Sequence, residues 1–248
     1  MNEINIINES ISLYSKQLKL PTFLNYEDVI RQLDKDKSYA DFLLELLKTE
    51  SSQRQENNQK RRIKAAKYPY IKTIDEYDLS RLKHVKEPFV WELASCDYID
   101  KFQNVVMIGN PGTGKTHLSI GLGMKACMNG YSVRFYTATS LATELVEASD
   151  YKRLTKLERQ LASVDLLIID ELSYLSFNRH QSDLLFKVIS DRSEKGSIII
   201  TTNLEFSRWT ELFDNPTMVS ALVDRITFRS HVLNMNGDSY RKENIRKQ

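Results

Sequence analysis

Gly109-Asn110-Pro111-Gly112-Thr113-Gly114-Lys115-Thr116 fits the pattern G-x-x-x-x-G-K-[ST]. Its flanks decide what it means. Val105-Val106-Met107-Ile108 precedes it, an apolar β-branched run of the kind a buried strand uses. Thr116 to Cys127 follows, rich in Ala, Leu, Met and small residues, and reads as a helix. Strand, glycine-rich turn and helix together are what phosphate binding requires. The glycines allow backbone conformations closed to other residues. The N–H groups of the loop and of the helix N-terminus then converge on an anion. The expected nucleotide-binding residues are therefore Gly109 to Thr116 together with His117. Lys115 supplies a positive charge to the β/γ-phosphates, and the Thr116 hydroxyl is an expected ligand of Mg²⁺.

A second anchor lies downstream, Leu166-Leu167-Ile168-Ile169-Asp170-Glu171. Four aliphatic residues mark a strand buried on both faces, as in parallel α/β sheets. An acidic pair at its end has no packing explanation, because buried carboxylates are unfavourable unless paired or bound to a cation. As the second half of an ATP site the pair makes sense. Asp170 is the expected Mg²⁺ residue and Glu171 the base that polarises the attacking water. Next, Ser197-Ile198-Ile199-Ile200-Thr201-Thr202-Asn203 reads as another buried strand ending in polar residues. Asn203 is placed either to bridge water and γ-phosphate or simply to make a turn. Met218 to Phe228 reads as a helix carrying Arg225. That arginine suits a finger delivered to a neighbouring subunit's γ-phosphate, or else a surface or capping interaction with Asp224. Glu171, Asn203, Arg225 and Lys115 form the expected catalytic set, with ATP and Mg²⁺ as ligands.

The 248 residues suit a domain of ordinary size plus a smaller one. Hydrophobic residues make up 41% and charged residues 27%, a globular composition. Cys96 and Cys127 show no metal-ligand or redox spacing and read as buried thiols in a reducing compartment. No basic and apolar leader is evident at the N-terminus, and no apolar run approaches the ~20 residues of a membrane span. A cytoplasmic protein without a membrane partner is expected.

The first part of the chain reads as all-helical. Ile11, Tyr14 and Leu18 fall at helical spacing, and Pro21 is expected to end that helix. Asn25 is expected to cap a short helix from Tyr26, and Ser38-x-x-Asp41 to open a long one as a capping box. From Arg54, in the second half of the long helix, to Lys67, the sequence holds Arg54, Lys60, Arg61, Arg62, Lys64 and Lys67 against the single acid Glu56, in a chain whose net charge is only +2. This is either a solvated connector or a helix that contacts phosphates. With no aromatic residues among the charges, duplex backbone contact is expected over single-strand stacking. A boundary near Tyr68 gives an N-terminal helical domain, 1–67, for DNA binding or oligomerisation, and an ATPase domain, 68–248.

Within the second domain, Tyr98 and Ile99 precede the first strand and are candidates for the adenine pocket. Ser140 is expected to cap a helix from Leu141 to Ala148, and a second helix, Leu154 to Ala162, follows. Lys152, Arg153, Lys156 and Arg159 surround it and offer either a solvated face or a second DNA surface.

Taken in order, GNPGTGKTHLS, LLIIDELSYL, IIITTN, ALVDRI and GDSYR make the chain similar to the IstB-like transposition helper ATPases of bacterial insertion sequences. The DnaC-like helicase loaders are more distant relatives. The resemblance implies an initiator-branch AAA+ P-loop core with a parallel sheet, behind a small helical N-terminal domain. It makes Asn203 the sensor-1 residue and the helix pair at 141–162 an insertion lining a DNA path. It implies that the usual C-terminal helical lid is missing and that Arg241 takes over part of the sensor-2 role. The function implied is an ATP-hydrolysing helper of a cognate transposase that forms a homo-oligomer on duplex DNA, with ATP bound between subunits. The alternative is a replicative helicase loader.

Overall fold

β1 (Asn104–Ile108) is buried along almost its whole length, and the architecture is built around it. The computed structural model describes residues 3–34, 36–172, 177–193, 195–213 and 215–240. Arg241 lies outside them. Contacts divide the chain into two compact units, 1–61 and 62–248, with the division inside the long helix rather than at its end.

The first unit holds α1 (Glu3–Gln17), α2 (Tyr26–Gln32) and most of α3 (Tyr39–Ala66). The stop expected at Pro21 falls too late. Lys19 takes a left-handed backbone (φ 56°), with the Lys19 N–H donating to Lys16 O (3.2 Å) and the Leu20 N–H to Ser15 O (2.8 Å). That pair of bonds closes the helix before the proline, which instead opens a 3₁₀ turn, Pro21–Asn25. The expected Asn25 cap is also corrected: α2 begins there without a bond from the asparagine side chain. The box at α3 is formed, with Asp41 Oδ2 accepting from the Ser38 N–H (2.9 Å) and Ser38 Oγ accepting from the Asp41 N–H (3.2 Å).

The second unit is a parallel sheet of β1, β2 (Val133–Thr137), β3 (Leu166–Asp170), β4 (Ser197–Thr202) and β5 (Ser230–Asn234), in the order β2-β3-β4-β1-β5. Successive side chains leave a strand on opposite faces. Val105, Met107, Leu166, Ile168 and Ile199 therefore pack on one side, against α4 (Glu87–Ala94), α5 (Asp97–Asp100) and α6 (Lys115–Met128). Val106, Leu167, Ile169, Ile198 and Ile200 pack on the other. They meet α7 (Ala138–Asp150), α8 (Leu154–Ala162), α9 (Arg179–Arg192) and α10 (Pro216–Thr227). Both faces are covered, which is why β3 and β4 read as continuous aliphatic runs rather than alternating ones. β5 is the last element among the described residues, and no helical lid follows it there.

Two local expectations are corrected. The cap of α7 is Thr137, whose Oγ1 accepts from the Ser140 N–H (3.1 Å), so the helix starts before Ser140. Tyr98 and Ile99, the adenine candidates, are 2% and 3% exposed and belong to the core under the sheet. Burial pushes the Tyr98 phenol well above its ordinary pKa. Among the described residues no helix is long and apolar enough to cross a membrane.

Candidate active site

The C-terminal ends of β1, β3 and β4 meet at one cleft, the place where open parallel sheets hold ligands. Its volume is about 250 Å³, and Pro111, Gly112, Gly114, Lys115, Thr116, His117, Glu171 and Asn203 line it. Residues expected at the site from three separate stretches thus line one cleft. Gly112 and Gly114 hold φ of 81° and 88°, which a side chain would strain. Lys115 is 7% exposed, and its ammonium donates to Gly109 O (2.7 Å) and Asn110 O (2.8 Å). Asn110 itself donates its N–H to Asn236 Oδ1 (3.1 Å), and Thr113 Oγ1 donates to Asn110 O (2.9 Å).

Asp170 ends β3 and is 3% exposed. The Thr116 hydroxyl donates to both of its carboxylate oxygens (3.0 Å each), and the Thr201 hydroxyl donates to Oδ1 (2.6 Å). Thr201 Oγ1 also accepts the Glu171 N–H (2.9 Å). One threonine of β4 therefore fixes both members of the acidic pair. Glu171 has φ 60°, left-handed for a residue that resists that region, and its exposed side chain borders the cleft while Asp170 stays buried. Backbone strain of this kind gathers at functional sites.

Burial raises the Asp170 carboxyl above its ordinary pKa, and the charge of Glu171 adds to this; the bonds from Thr201 and Thr116 and the charge of Lys115 oppose it. A carboxyl raised by folding favours the folded state at low pH, and that contribution is lost as pH rises through the raised value. Asp170→Asn is accordingly expected to raise the melting temperature of metal-free protein at neutral pH, by roughly 2–4 °C per kcal/mol relieved. The gain should shrink on acidification below the ordinary carboxylate range. Calorimetry in chelator at both pH values measures it, and an equal or lower melting temperature at neutral pH would show that the buried charge is not a burden.

The oxygen donors present suit Mg²⁺. Among the described residues no group of three or more His, Cys, Asp or Glu side chains could cage a metal. A Thr116 hydroxyl beside one carboxylate is instead the sparse set a Mg²⁺ ion uses when phosphates and water complete its shell.

Arg225 stands elsewhere. It is exposed on the last turn of α10, donates to Ala221 O (3.1 Å) and lies 5.6 Å from the Phe186 ring centroid. It does not line the cleft of its own chain.

The basic candidates differ among themselves. Within the first unit Arg54 donates Nε to Glu50 (2.6 Å) and also reaches Lys19 O. Glu50 is 3% exposed. Burial alone would raise its carboxyl pKa, but bonds from Thr22 and Arg54 outweigh that and hold it low. Arg54 is thus a clasp inside that unit. Lys60 pairs with Glu56 (2.5 Å) and Arg61 with Asn58 (2.5 Å). In the second unit Arg62 donates to Cys127 O (2.8 Å) and is partly buried, whereas Lys64, Lys152, Arg153, Lys156 and Arg159 lie toward solvent.

Sequence reasoning passed over Thr201, Tyr77 and Tyr240. Thr201 had a readable signal, two hydroxyls before Asn203 at the end of an aliphatic strand. Tyr240 had only its place in GDSYR and Tyr77 had no signal, because only the fold brings residues 77 and 240 to the same loop.

A family model described as IstB-like ATP binding protein matches residues 14–248. A protein of insertion sequence IS21 from Pseudomonas aeruginosa, provisionally described as ATP-binding, is 36% identical, over 86% of this chain and 80% of that one. The corresponding protein of insertion sequence IS5376 from Geobacillus stearothermophilus is 35% identical over 98% and 97%. Among solved structures, AMPPCP-bound DnaA from Aquifex aeolicus superposes with TM-score 0.55 at 20% identity, covering 67% of this chain. The chain spans about half of that DnaA chain, 51%. The DnaC helicase loader gives TM-score 0.50 at 19% identity, covering 72% of this chain and 99% of that one. At these identities the structural likeness is one of fold alone.

Proposed function

The chain belongs to the IstB-like ATP binding proteins, and on that premise we propose that it is an ATPase that assembles as an oligomer on duplex DNA and serves a transposase. The observation that carries the ATPase reading is the Thr116–Asp170–Thr201–Glu171 cluster beside Lys115 at one cleft. A binding site alone needs the loop and the lysine. It does not need a second acid, held out at the cleft by a strained backbone and a dedicated threonine bond.

In this reading the N–H groups of the loop and Lys115 hold the phosphates, and Thr116 and Asp170 hold Mg²⁺. The metal supplies charge neutralisation on the β/γ-phosphates. Glu171 accepts the proton of the attacking water and Asn203 orients that water. Arg225, which does not line its own cleft, completes the site of an adjacent subunit. ATP-dependent assembly then sets when DNA is held and released.

For DNA, the exposed residues Lys152, Lys156 and Arg159 at α8 are the clearest phosphate contacts within the ATPase unit. Replacing the three with glutamine is expected to weaken duplex binding with little regard to base sequence. The slope of log K against log salt should flatten by about 0.9 for each phosphate no longer neutralised. Binding titrations between low and physiological salt measure this. An unchanged slope would remove α8 from the DNA surface, and a stronger affinity for single strands than for duplex would favour a helicase loader instead.

A further inference from the structure

Two adjacent peptide groups of the phosphate loop have their carbonyls held from outside the loop. Gly112 O accepts the Tyr240 N–H (2.9 Å), and Thr113 O accepts the Tyr77 hydroxyl (2.8 Å, buried). In a planar trans peptide the C=O and the following N–H point in opposite directions. Pinning these two carbonyls therefore turns the N–H groups of Thr113 and Gly114 away from the two tyrosines, and fixes them there. Those are loop N–H groups of the kind that bind an anion.

The two donors come from opposite ends of the ATPase unit, one before β1 and one after β5, and they are tied together. The Tyr77 and Tyr240 rings lie 6.4 Å apart, and the Arg81 guanidinium sits 3.9 Å from the Tyr240 ring centroid. Lys83 pairs with Asp238 (2.8 Å). The fit to the loop leaves no slack. A Cβ on Gly112 would fall 2.2 Å from Ser239 Oγ, and one on Gly114 would fall 2.5 Å from the Tyr77 ring. The Tyr240 hydroxyl adds only a long contact to Asp78 O (3.5 Å), so the ring and the main chain are what hold this residue.

We propose that Tyr77 and Tyr240 are positioning residues for nucleotide binding. Together they strap the loop so that its N–H groups are already aimed before the phosphates arrive. The proposal rests on the reading of the cleft as the ATP site. Its physical content is preorganisation: a loop held in its binding conformation does not have to be ordered by the ligand.

The test is titration of a non-hydrolysable ATP analogue with Mg²⁺, beside melting curves without nucleotide. Tyr77→Phe keeps the ring against Gly114 and removes one buried hydrogen bond, so its dissociation constant should rise about tenfold. Tyr240→Ala should rise in the same direction, and Tyr240→Phe should bind as wild type does. All three should melt within about 4 °C of wild type, a shift below what loss of the fold would give. In turnover assays the loss should fall on KM and leave kcat in place, as removal of ground-state positioning requires. If Tyr240→Ala does not fold, Arg81→Ala reads the same contact without touching the loop and should also weaken binding. Wild-type affinity in both Tyr77→Phe and the Tyr240 or Arg81 variant overturns the strap while leaving the ATP site intact. Failure of the wild-type chain to bind the analogue overturns the ATP site and the strap with it.

Discussion

Glu171→Gln is expected to keep nucleotide affinity and to lower ATP turnover by a factor on the order of 10²–10⁴, the usual range for a lost general base. The substitution is nearly isosteric, so a change in turnover reports the missing proton acceptor rather than a missing shape. The backbone that places Glu171 should survive it. The left-handed turn at φ 60° is held by the N–H bond to Thr201 Oγ1 and does not involve the carboxylate. Asp170 keeps its bonds to Thr116 and Thr201 as well. Binding of an ATP analogue and release of phosphate should therefore separate cleanly, the first retained and the second lost. Turnover equal to wild type would remove Glu171 as the base. Loss of binding would mean that the pair of acids acts as a single metal site.

The parts of this site that could be read from the chain are those written by strong local chemistry. Glycines at 112 and 114, a lysine and a threonine between an aliphatic strand and a helix are the composition of an anion-binding loop and suit little else. An acidic pair after four aliphatic residues is equally restrictive, since burial of such a pair demands a partner. What stayed hidden depends on side chains meeting across long sequence separations. Thr201 read as the polar end of a strand, yet its hydroxyl joins Asp170 and Glu171 only because β3 and β4 are neighbours in register. Arg54 and Arg62 read as members of one basic stretch. A buried Glu50 claims the first and a helix-end carbonyl at Cys127 the second. Charge pattern cannot anticipate either, because both partners are supplied by packing. Arg192 is the extreme case: 2% exposed, with its guanidinium on Leu161 O, Asp165 O and Ser197 O. Nothing around it in the chain marks it as a residue of the interior.

Arg225→Ala carries the other large expected effect, a fall in turnover on the order of 10³–10⁵, the range that a finger arginine acting on the transition state supplies. In its own chain the side chain is weakly held. An exposed cation near an aromatic ring is worth about 0.5–1 kcal/mol, and the bond to Ala221 O is solvent-exposed. Such a side chain can be redirected by a neighbouring subunit at little loss. Since it lies off its own cleft, the deficit should be repairable in trans. Mixing Arg225→Ala with a Lys115→Ala chain, each inactive alone, pairs the intact loop of the first with the intact arginine of the second. Every such junction forms a complete site, so activity should return as the mixing ratio approaches parity. Turnover that stays absent at all ratios, with both variants shown to co-assemble, would leave Arg225 as a surface residue and return the site to a single chain.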